Sequence, residues 1–454
     1  MEFKKIENHD SGEKIYSLIK KMFPICRSIT GNGVRKTLKI IKNNIPIVIK
    51  EIPSGTQVFD WTIPKEWNIK KAYIKNSKGE KIVDFKKSNL HVLNYSIPIH
   101  KKMSLKELKP HLHTLPEYPD WIPYLTSYYK ERWGFCLTHN QYTNLNDDTY
   151  EVFIDSSLKD GLLTFGELLI KGETKDEVLF SCYLCHPSLC NDNLSGVSLL
   201  TFLAKYLLKQ KLKYSYRFLF IPETIGAITW LSLNEKNVHK IKHGLVATCV
   251  GDPGNSTYKK SRIGDTLIDK AVEKVLIDSE QPYKIVDFFP SGSDERQFCS
   301  PGFNLPIGSL VRTLYGNFPE YHTSADNLDF IKHKALEDSF KKYLDTIFIL
   351  ENNKTYINTN SKCEPQLGKR GLYQTLGSQK NNALIQDALM WTLNMADGTN
   401  STLDIASKSK MKFKTIKEAT DILEKNNLLK NMDSQCTNMD LNFGQLTNNT
   451  LQKQ

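Results

Sequence analysis

The sequence predicts an α/β fold built on a mixed, largely parallel central sheet flanked by helices. Three observations lead there. Apolar-rich runs at Val178–Cys182, Tyr216–Ile221, Leu245–Val250 and Pro306–Leu310 read as buried strands. Between the first two, Val197, Leu200, Ala204 and Leu207 share one face of a helix. Strand, helix, strand in that order is the signature of crossover connections in a parallel sheet.

The remaining segments follow in chain order. Residues 1–56 open with a helical stripe of Ile15, Leu18, Ile19 and Met22 and form the first part of the same domain. Residues 57–118 change to short runs, among them Lys71-Ala72-Tyr73-Ile74 and His91-Val92-Leu93, with turn chemistry at Asn76–Gly79. They predict an inserted small β domain. Residues 119–360 return to alternating strands and helices and complete the main domain. From 361 to 430 the pattern is helical. Leu384, Ala388, Trp391 and Met395 form one stripe; Leu403, Ile405 and Ala406 a second; Phe413, Ile416, Ala419 and Leu423 a third. With the apolar pair Leu428-Leu429 behind them, they predict a C-terminal winged helix-turn-helix. Residues 431–454, rich in Asn, Gln and Thr, read as a frayed tail.

Composition narrows the function classes. With 454 residues, 40% hydrophobic and 24% charged, the chain is neither fibrous, collagen-like nor wholly disordered. No run has the length and apolarity of a membrane helix. The segment Met1–Tyr16 has no apolar core behind its lysines, so the expected compartment is the cytoplasm. The net charge of +11 comes from lysines spread along the chain, the pattern of a solvated surface rather than a nucleic-acid stripe. Nine cysteines without regular spacing read as reduced thiols.

The segment Val178–Gly196, VLFSCYLCHPSLCNDNLSG, carries the most chemistry. A buried strand ends in it, and the carboxyl end of a strand is where open α/β sheets bind ligands. Three readings compete. Cys182, Cys185 and His186 match the CxxCH haem-attachment pattern, but that chemistry belongs mostly to exported proteins. Cys182, Cys185 and Cys190 can form a thiol metal or redox site, but the chain offers no second matching pair. The third reading is a His/Asp metal site using His186 and Asp192, with the cysteines as small core residues. Two further strand-end signals favour it: Glu223, after Tyr216–Ile221, and the run Glu320-Tyr321-His322-Thr323-Ser324-Ala325-Asp326.

Asp192-Asn193-x-Ser195-Gly196, Glu223 ahead of Gly226, and His322-Thr323-x-x-Asp326 together resemble the co-catalytic zinc aminopeptidases. Ser293-Asp294, followed by Phe298 and Pro301-Gly302, echoes the same family. The resemblance covers roughly residues 160–335. Arg27-Ser28-Ile29-Thr30-Gly31-Asn32-Gly33, and Tyr128-Tyr129-Lys130 before Trp133-Gly134-Phe135, resemble a bacterial aminopeptidase-like subfamily. Its members carry an inserted β domain and a C-terminal winged helix and are often labelled as polysaccharide-biosynthesis proteins.

The resemblance implies Zn2+ as cofactor. His186 would bind one ion, Asp192 would bridge, His322 would bind the second, and Asp252 would complete the set beside His186. Glu223 would be the general base that moves the water's proton to the leaving amine. Two departures stand out. Thr224 replaces the second carboxylate of a Glu-Glu pair, and Pro187-Ser188 stand where an Asp orients the first histidine. The site would then hold one metal or two, or use Glu223 itself as a ligand.

The implied activity is hydrolysis of a peptide or amide bond in a small substrate, including an amide on a surface-polysaccharide precursor. The competing class is a metal-bound sensor, a DNA- or protein-binding regulator with a degenerate hydrolase domain, or a non-catalytic scaffold. Residues 401–430 hold seven lysines against four acids, and Glu418, Asp421 and Glu424 fall on the would-be recognition helix. Phosphate repulsion there argues against a DNA reader and for protein contact or a homo-oligomer. Plainer roles stand beside these. Glu223 can cap a helix, Asp252 can serve a turn, Asp294 and Arg296 can form an ion pair or meet a charged substrate end. Trp121, Tyr124, Tyr128 and Tyr129 can be core or pocket wall.

Overall fold

The computed structural model of the protein describes residues 10–372 and 380–432. Of these, residues 10–269 and 282–344 belong to one compact unit and the rest to a second.

The first unit is organised by an eight-stranded sheet. Its strands are β1 (Val48–Pro53), β2 (Leu162–Ile170), β3 (Glu177–Tyr183), β4 (Ser215–Ile221), β5 (Ile241–Val246), β6 (Ser256–Lys259), β7 (Tyr283–Val286) and β8 (Ile307–Val311). They lie in the order β1-β2-β4-β3-β5-β8-β6-β7. The middle four, β4, β3, β5 and β8, are mutually parallel, as are β6 and β7. The pairs β1–β2, β2–β4 and β6–β8 are antiparallel. All seven residues of β3 are buried, which is why that strand is apolar without alternation.

Helix α1 (Ser11–Met22) buries Ile15, Leu18, Ile19 and Met22, the stripe expected from spacing. A second helix, α2 (Asn32–Lys42), follows it. After β3, α3 (Gly196–Leu207) buries Val197, Leu200, Ala204 and Leu207. A Cβ on Gly196 would sit 2.2 Å from the Ala247 carbonyl, so only glycine lets this helix start so close to the end of β5. After β4 comes α4 (Ile225–Asn234).

A separate four-stranded antiparallel sheet orders Lys81–Asp84, Glu66–Lys75, Thr149–Lys159 and Ile99–Ser104. Segment 57–118 supplies three of these strands; the fourth, Thr149–Lys159, comes from beyond it. That strand alternates buried Tyr150, Val152 and Ile154 with partly exposed neighbours and pairs with Glu66–Lys75 along its length. His91-Val92-Leu93 is not a strand: Asn89–His91 is one 3-10 turn, capped by the Ser88 side chain. The run expected over Leu245–Val250 also shifts. The strand covers Ile241–Val246, and Ala247 to Val250 continue as buried loop.

The second unit contains helices Lys380–Met395, Thr402–Lys408 and Phe413–Lys425. A small antiparallel sheet, Asp397–Ser401, Thr355–Asn358 and Leu429–Asn431, completes a winged helix. Ser401 and Asp404 form a capping box at the start of the middle helix. Phe413, Ile416, Ala419 and Leu423 are buried, as are Leu403, Ile405 and Ala406. The stripe on Lys380–Met395 differs from expectation. Of its four members Ala388 and Met395 are buried and Leu384 and Trp391 exposed; Leu389, Thr392 and Leu393 complete a buried face rotated from the predicted one. Of the tail expected over 431–454, residues 433–454 lie outside the described residues. No helix among the described residues is long and apolar enough to cross a membrane.

Candidate functional site

The carboxyl ends of β3, β4 and β5 face one region, as the parallel order requires. The loop after β3 brings His186 and Asp192, and the turn after β4 brings Glu223. The Asp192–Asn193 peptide bond is cis. Asn193 and Ser195 anchor this loop from the other side. Asn193 Nδ2 donates to Ala247 O at 2.9 Å, and its Oδ1 accepts from Gly196 N at 3.1 Å. Ser195 Oγ donates to Asn191 O at 2.6 Å and accepts from Val250 N at 3.1 Å. The Asp-Asn-x-Ser-Gly motif is therefore a brace between the loop and the end of β5.

His322 arrives from a distant segment that docks by backbone pairing. Tyr124 N donates to His322 O at 2.7 Å, and Ser324 N to Ile122 O at 2.9 Å. Asp326 then ties the His322 segment to the loop after β3. Its carboxylate accepts from Asn191 N at 2.6 Å and Asp192 N at 2.9 Å.

Three of the expected site residues come together: His186, Asp192 and His322 offer donor atoms all within 4.8 Å of one another. His322 Nε2 lies 3.0 Å and His186 Nε2 3.8 Å from Asp192 Oδ2. Glu223 Oε2 is 3.8 Å from His186 Nε2. Asp252 does not join them. Its carboxylate accepts from Thr313 N and Oγ1, from Gly254 N at 2.8 Å and from Asn191 Nδ2 at 3.1 Å. Because β5 ends at Val246, Asp252 falls well beyond the strand end and serves its turn.

The residues present fit a metal ion. Asp192 Oδ2 and His322 Nε2 are buried atoms 3.0 Å apart, and neither has a hydrogen-bond partner outside that contact. Buried polar atoms so poorly satisfied are rare in a folded protein, and a cation between them would satisfy both. Imidazole and carboxylate are the donor types that zinc takes.

Electrostatics support the same assignment. Burial holds His186 down at about 4, leaving a neutral imidazole near pH 7, the form that can donate a lone pair. Burial works against the Asp192 carboxylate, but His186, His322 and the Tyr183 hydroxyl outweigh it and keep its carboxyl below the ordinary aspartate range. Glu223 behaves oppositely: burial, then the charges of Asp294 and Asp192, push its carboxyl well above the usual value. Its side chain nevertheless keeps 24% of its exposure, so one edge stays open to solvent.

Tyr183, Tyr321 and Arg27 join the site without a role foreseen from sequence, and Tyr124, Asp294 and Arg296 can now be placed. The Tyr183 hydroxyl donates to Asp192 Oδ1 and lies 2.7 Å from Thr248 Oγ1. Tyr321 stacks on the His322 ring at 4.0 Å. Tyr124 sets its ring against both histidines, at 5.0 and 5.2 Å, so it is a wall of the site as well as core. The buried Arg27 donates Nε to His186 O at 2.9 Å and Nη1 to Met22 O at 2.6 Å, pinning the loop after β3. Asp294 and Arg296 neither pair with each other by hydrogen bond nor form an open charge. Thr224 N donates to Asp294 Oδ1 at 2.7 Å, and Arg296 Nη2 donates to Thr224 Oγ1 at 2.8 Å. Together they clamp Thr224 at φ 62°, a left-handed conformation that costs a β-branched residue energy. The clamp directs the adjoining Glu223. Motif position marked Asp326 in the sequence; nothing marked Tyr183, whose hydroxyl direction only the folded strand end reveals.

Fold and site together define a protein with the zinc aminopeptidase architecture, extended by a winged helix. The chain belongs to the family described as a domain of unknown function, DUF4910, whose model matches residues 16–353; a winged helix-turn-helix model matches residues 354–431. It is 62% identical over 421 residues to a Clostridium acetobutylicum protein named for polysaccharide biosynthesis and an aminopeptidase-like domain. That match covers 93% of this chain and 97% of the relative. A crystal structure from Clostridium acetobutylicum, described as a peptidase, superposes with a TM-score of 0.90 at 60% identity, covering 94% of this chain and 98% of that one. The fold extends to BSAP, a zinc aminopeptidase from Bacillus subtilis. There the TM-score is 0.56 at 11% identity, over 77% of this chain and 96% of that one.

Proposed function

We propose that this protein is a zinc-dependent, aminopeptidase-like hydrolase of a peptide or amide bond. The observation that carries the reading is the convergence of His186, Asp192 and His322 on one point, where Asp192 Oδ2 and His322 Nε2 have no partner but each other, and Glu223 beside them. His186 Nε2, Asp192 Oδ2 and His322 Nε2 would hold the ion. Bound zinc supplies Lewis acidity, polarising a carbonyl and lowering the pKa of a water molecule. Glu223 Oε2 then takes the attacking water's proton and returns it to the leaving nitrogen. Burial and the neighbouring Asp294 and Asp192 charges raise its pKa above the ordinary glutamate range, which strengthens it as a proton acceptor. Tyr183 holds Asp192, and Tyr124 and Tyr321 hold the two imidazoles in place and keep bulk water from their faces.

The relative named for polysaccharide biosynthesis supports a narrower reading, an amide carried on a sugar or surface-glycan precursor. Metal analysis of protein purified without added metal, followed by an aminopeptidase and N-acyl-sugar substrate panel, tests both levels. Stoichiometric zinc with cleavage is expected. Protein that neither retains nor takes up zinc would sink the hydrolase reading; zinc with peptide cleavage alone would remove the sugar reading.

A further inference from the structure

Cys185 is chain neighbour to His186, and its sulfur is buried at 1% exposure. Two groups of the site meet that sulfur. His186 Nδ1 lies 3.4 Å from Cys185 Sγ, and the backbone N–H of Glu223 donates to the same sulfur across 3.3 Å. The other ring nitrogen, His186 Nε2, is the one that faces the Asp192 and Glu223 carboxylates. A neutral imidazole carries one proton, so an Nε2 lone pair directed at a cation leaves the proton on Nδ1. That proton points at sulfur.

Metal-binding histidines almost always donate their second ring N–H to a carboxylate, a carbonyl or water, which fixes tautomer and ring orientation. Position 188, where a carboxylate would do this, is Ser188, and its hydroxyl is turned away to Phe23 O at 2.9 Å and Asn89 Nδ2 at 2.7 Å. We propose that Cys185 takes over this duty as a positioning residue. Its sulfur accepts the Nδ1–H of His186 and the N–H of Glu223, so one atom sets the tautomer of a metal-holding histidine and the place of the general base. The long reach of a sulfur acceptor suits both distances; an oxygen acceptor would need them nearer 2.9 Å. The strained Thr224 that follows Glu223 is held from its far side by Asp294 and Arg296, so the Glu223 backbone is fixed at both ends.

This rests on His186 holding the metal, and the experiment separates the two ideas. Zinc affinity is measured by chelator competition for the full-length protein and its Cys185→Ala, Cys185→Val and Cys185→Ser variants. Valine fills the sulfur's space without accepting a hydrogen bond, so it carries the test if the alanine protein does not fold. Alanine and valine are expected to weaken zinc about 10–100-fold, the usual effect of losing such a partner, while serine recovers part of the loss. Unchanged affinity in alanine or valine overturns the positioning role but leaves the metal site standing. Wild-type protein that binds no zinc overturns the metal reading itself. Cobalt substitution covers direct ligation, since Cys185, His186 and Glu223 also lie within one donor group. The wild-type cobalt spectrum is expected to lack a sulfur-to-metal charge-transfer band. Such a band, absent from Cys185→Ser, would make Cys185 a ligand and overturn the proposal.

Discussion

Two buried charge clusters share the central sheet and are satisfied in opposite ways. Near the start of β4, Arg217 donates Nε and Nη2 to Glu177 across 2.6 and 2.8 Å and Nη1 to Glu167. Glu167 also takes Lys50 Nζ at 2.5 Å and Trp230 Nε1 at 3.1 Å. Each charge there has an opposite charge on it. At the far ends of the strands, Asp192, Glu223, Asp294 and Asp326 crowd four carboxyls around two imidazoles. Asp294 Oδ2 is left without a hydrogen-bond partner, and Asp192 Oδ2 and His322 Nε2 have only each other. A paired cluster is completed by the protein itself. A cluster crowded with carboxyls costs folding free energy and is held together by the surrounding fold.

The comparison can be sharpened first at Glu223. Glu223→Gln preserves size and removes the proton acceptor, so kcat should fall about 10²–10⁴-fold with zinc content unchanged. Lost zinc with a normal kcat after zinc addition would make Glu223 a ligand instead. In the paired cluster the expected effect is on stability alone. Glu167→Ala leaves Lys50 and part of Arg217 uncompensated and should cost about 3 kcal/mol by denaturant titration, with zinc affinity untouched. A weakened zinc affinity there would mean the clusters are coupled. His322→Ala should act the other way. At a zinc concentration 100 times Kd the wild type gains about 2.7 kcal/mol over its metal-free form, and this gain should vanish in the variant. A retained gain would take His322 out of the site.

The smallest effect is on the pH dependence of the metal-free protein, and its sign differs between the clusters. Burial, reinforced by Glu295, holds Asp294 up at about 7, and burial with the Asp192 charge holds Asp326 up at about 8. Glu223 is raised as well. All three bind protons more tightly folded than unfolded, where their values are 3.8 and 4.5. Their contribution is therefore fully present below those values; for Asp294 and Asp326 it is lost as pH rises through 7 to 8, and for Glu223 as pH rises through its own raised value. Burial opposes the Glu167 carboxylate, but Lys50, Trp230 and Arg217 outweigh it and depress its pKa. Its contribution is present above 4.5 and is lost as pH falls below that. Denaturation of metal-free protein near pH 5 and near pH 8 should show the lower stability at pH 8. Equal stabilities would mean that the site carboxyls are already ionised at the lower pH.

Much of the architecture was legible because period and burial coincide. The stripes on α1, α3 and Phe413–Lys425 needed only helical spacing, and β3 and β4 only apolar runs. The donor trio was legible because each member follows a strand or belongs to a short motif. What escaped has physical causes. Thr149–Lys159 pairs with Glu66–Lys75 across a long stretch of chain, and pairing partners at that separation leave no local mark. Leu384 and Trp391 are apolar but exposed, so composition rotated the predicted face. Asp252 was placed by a strand end that lies earlier, at Val246. Cys185 and Tyr183 read as core residues, and they are core residues; the information missing was which way the sulfur and the hydroxyl point.

The backbone pairing that delivers His322 also bears on when the site comes into being. Ile122 N donates to Ser324 Oγ across a separation of 202 residues, and Asp326 bridges to Asn191 and Asp192 over 135 and 134. Closing such long loops is slow and entropically costly compared with forming any helix or hairpin nearby. The donor atoms therefore come together only when contacts far apart in the chain have closed. On the proposed zinc site, an unfolded or half-folded chain would offer the ion only scattered side chains, and tight uptake would report completed folding.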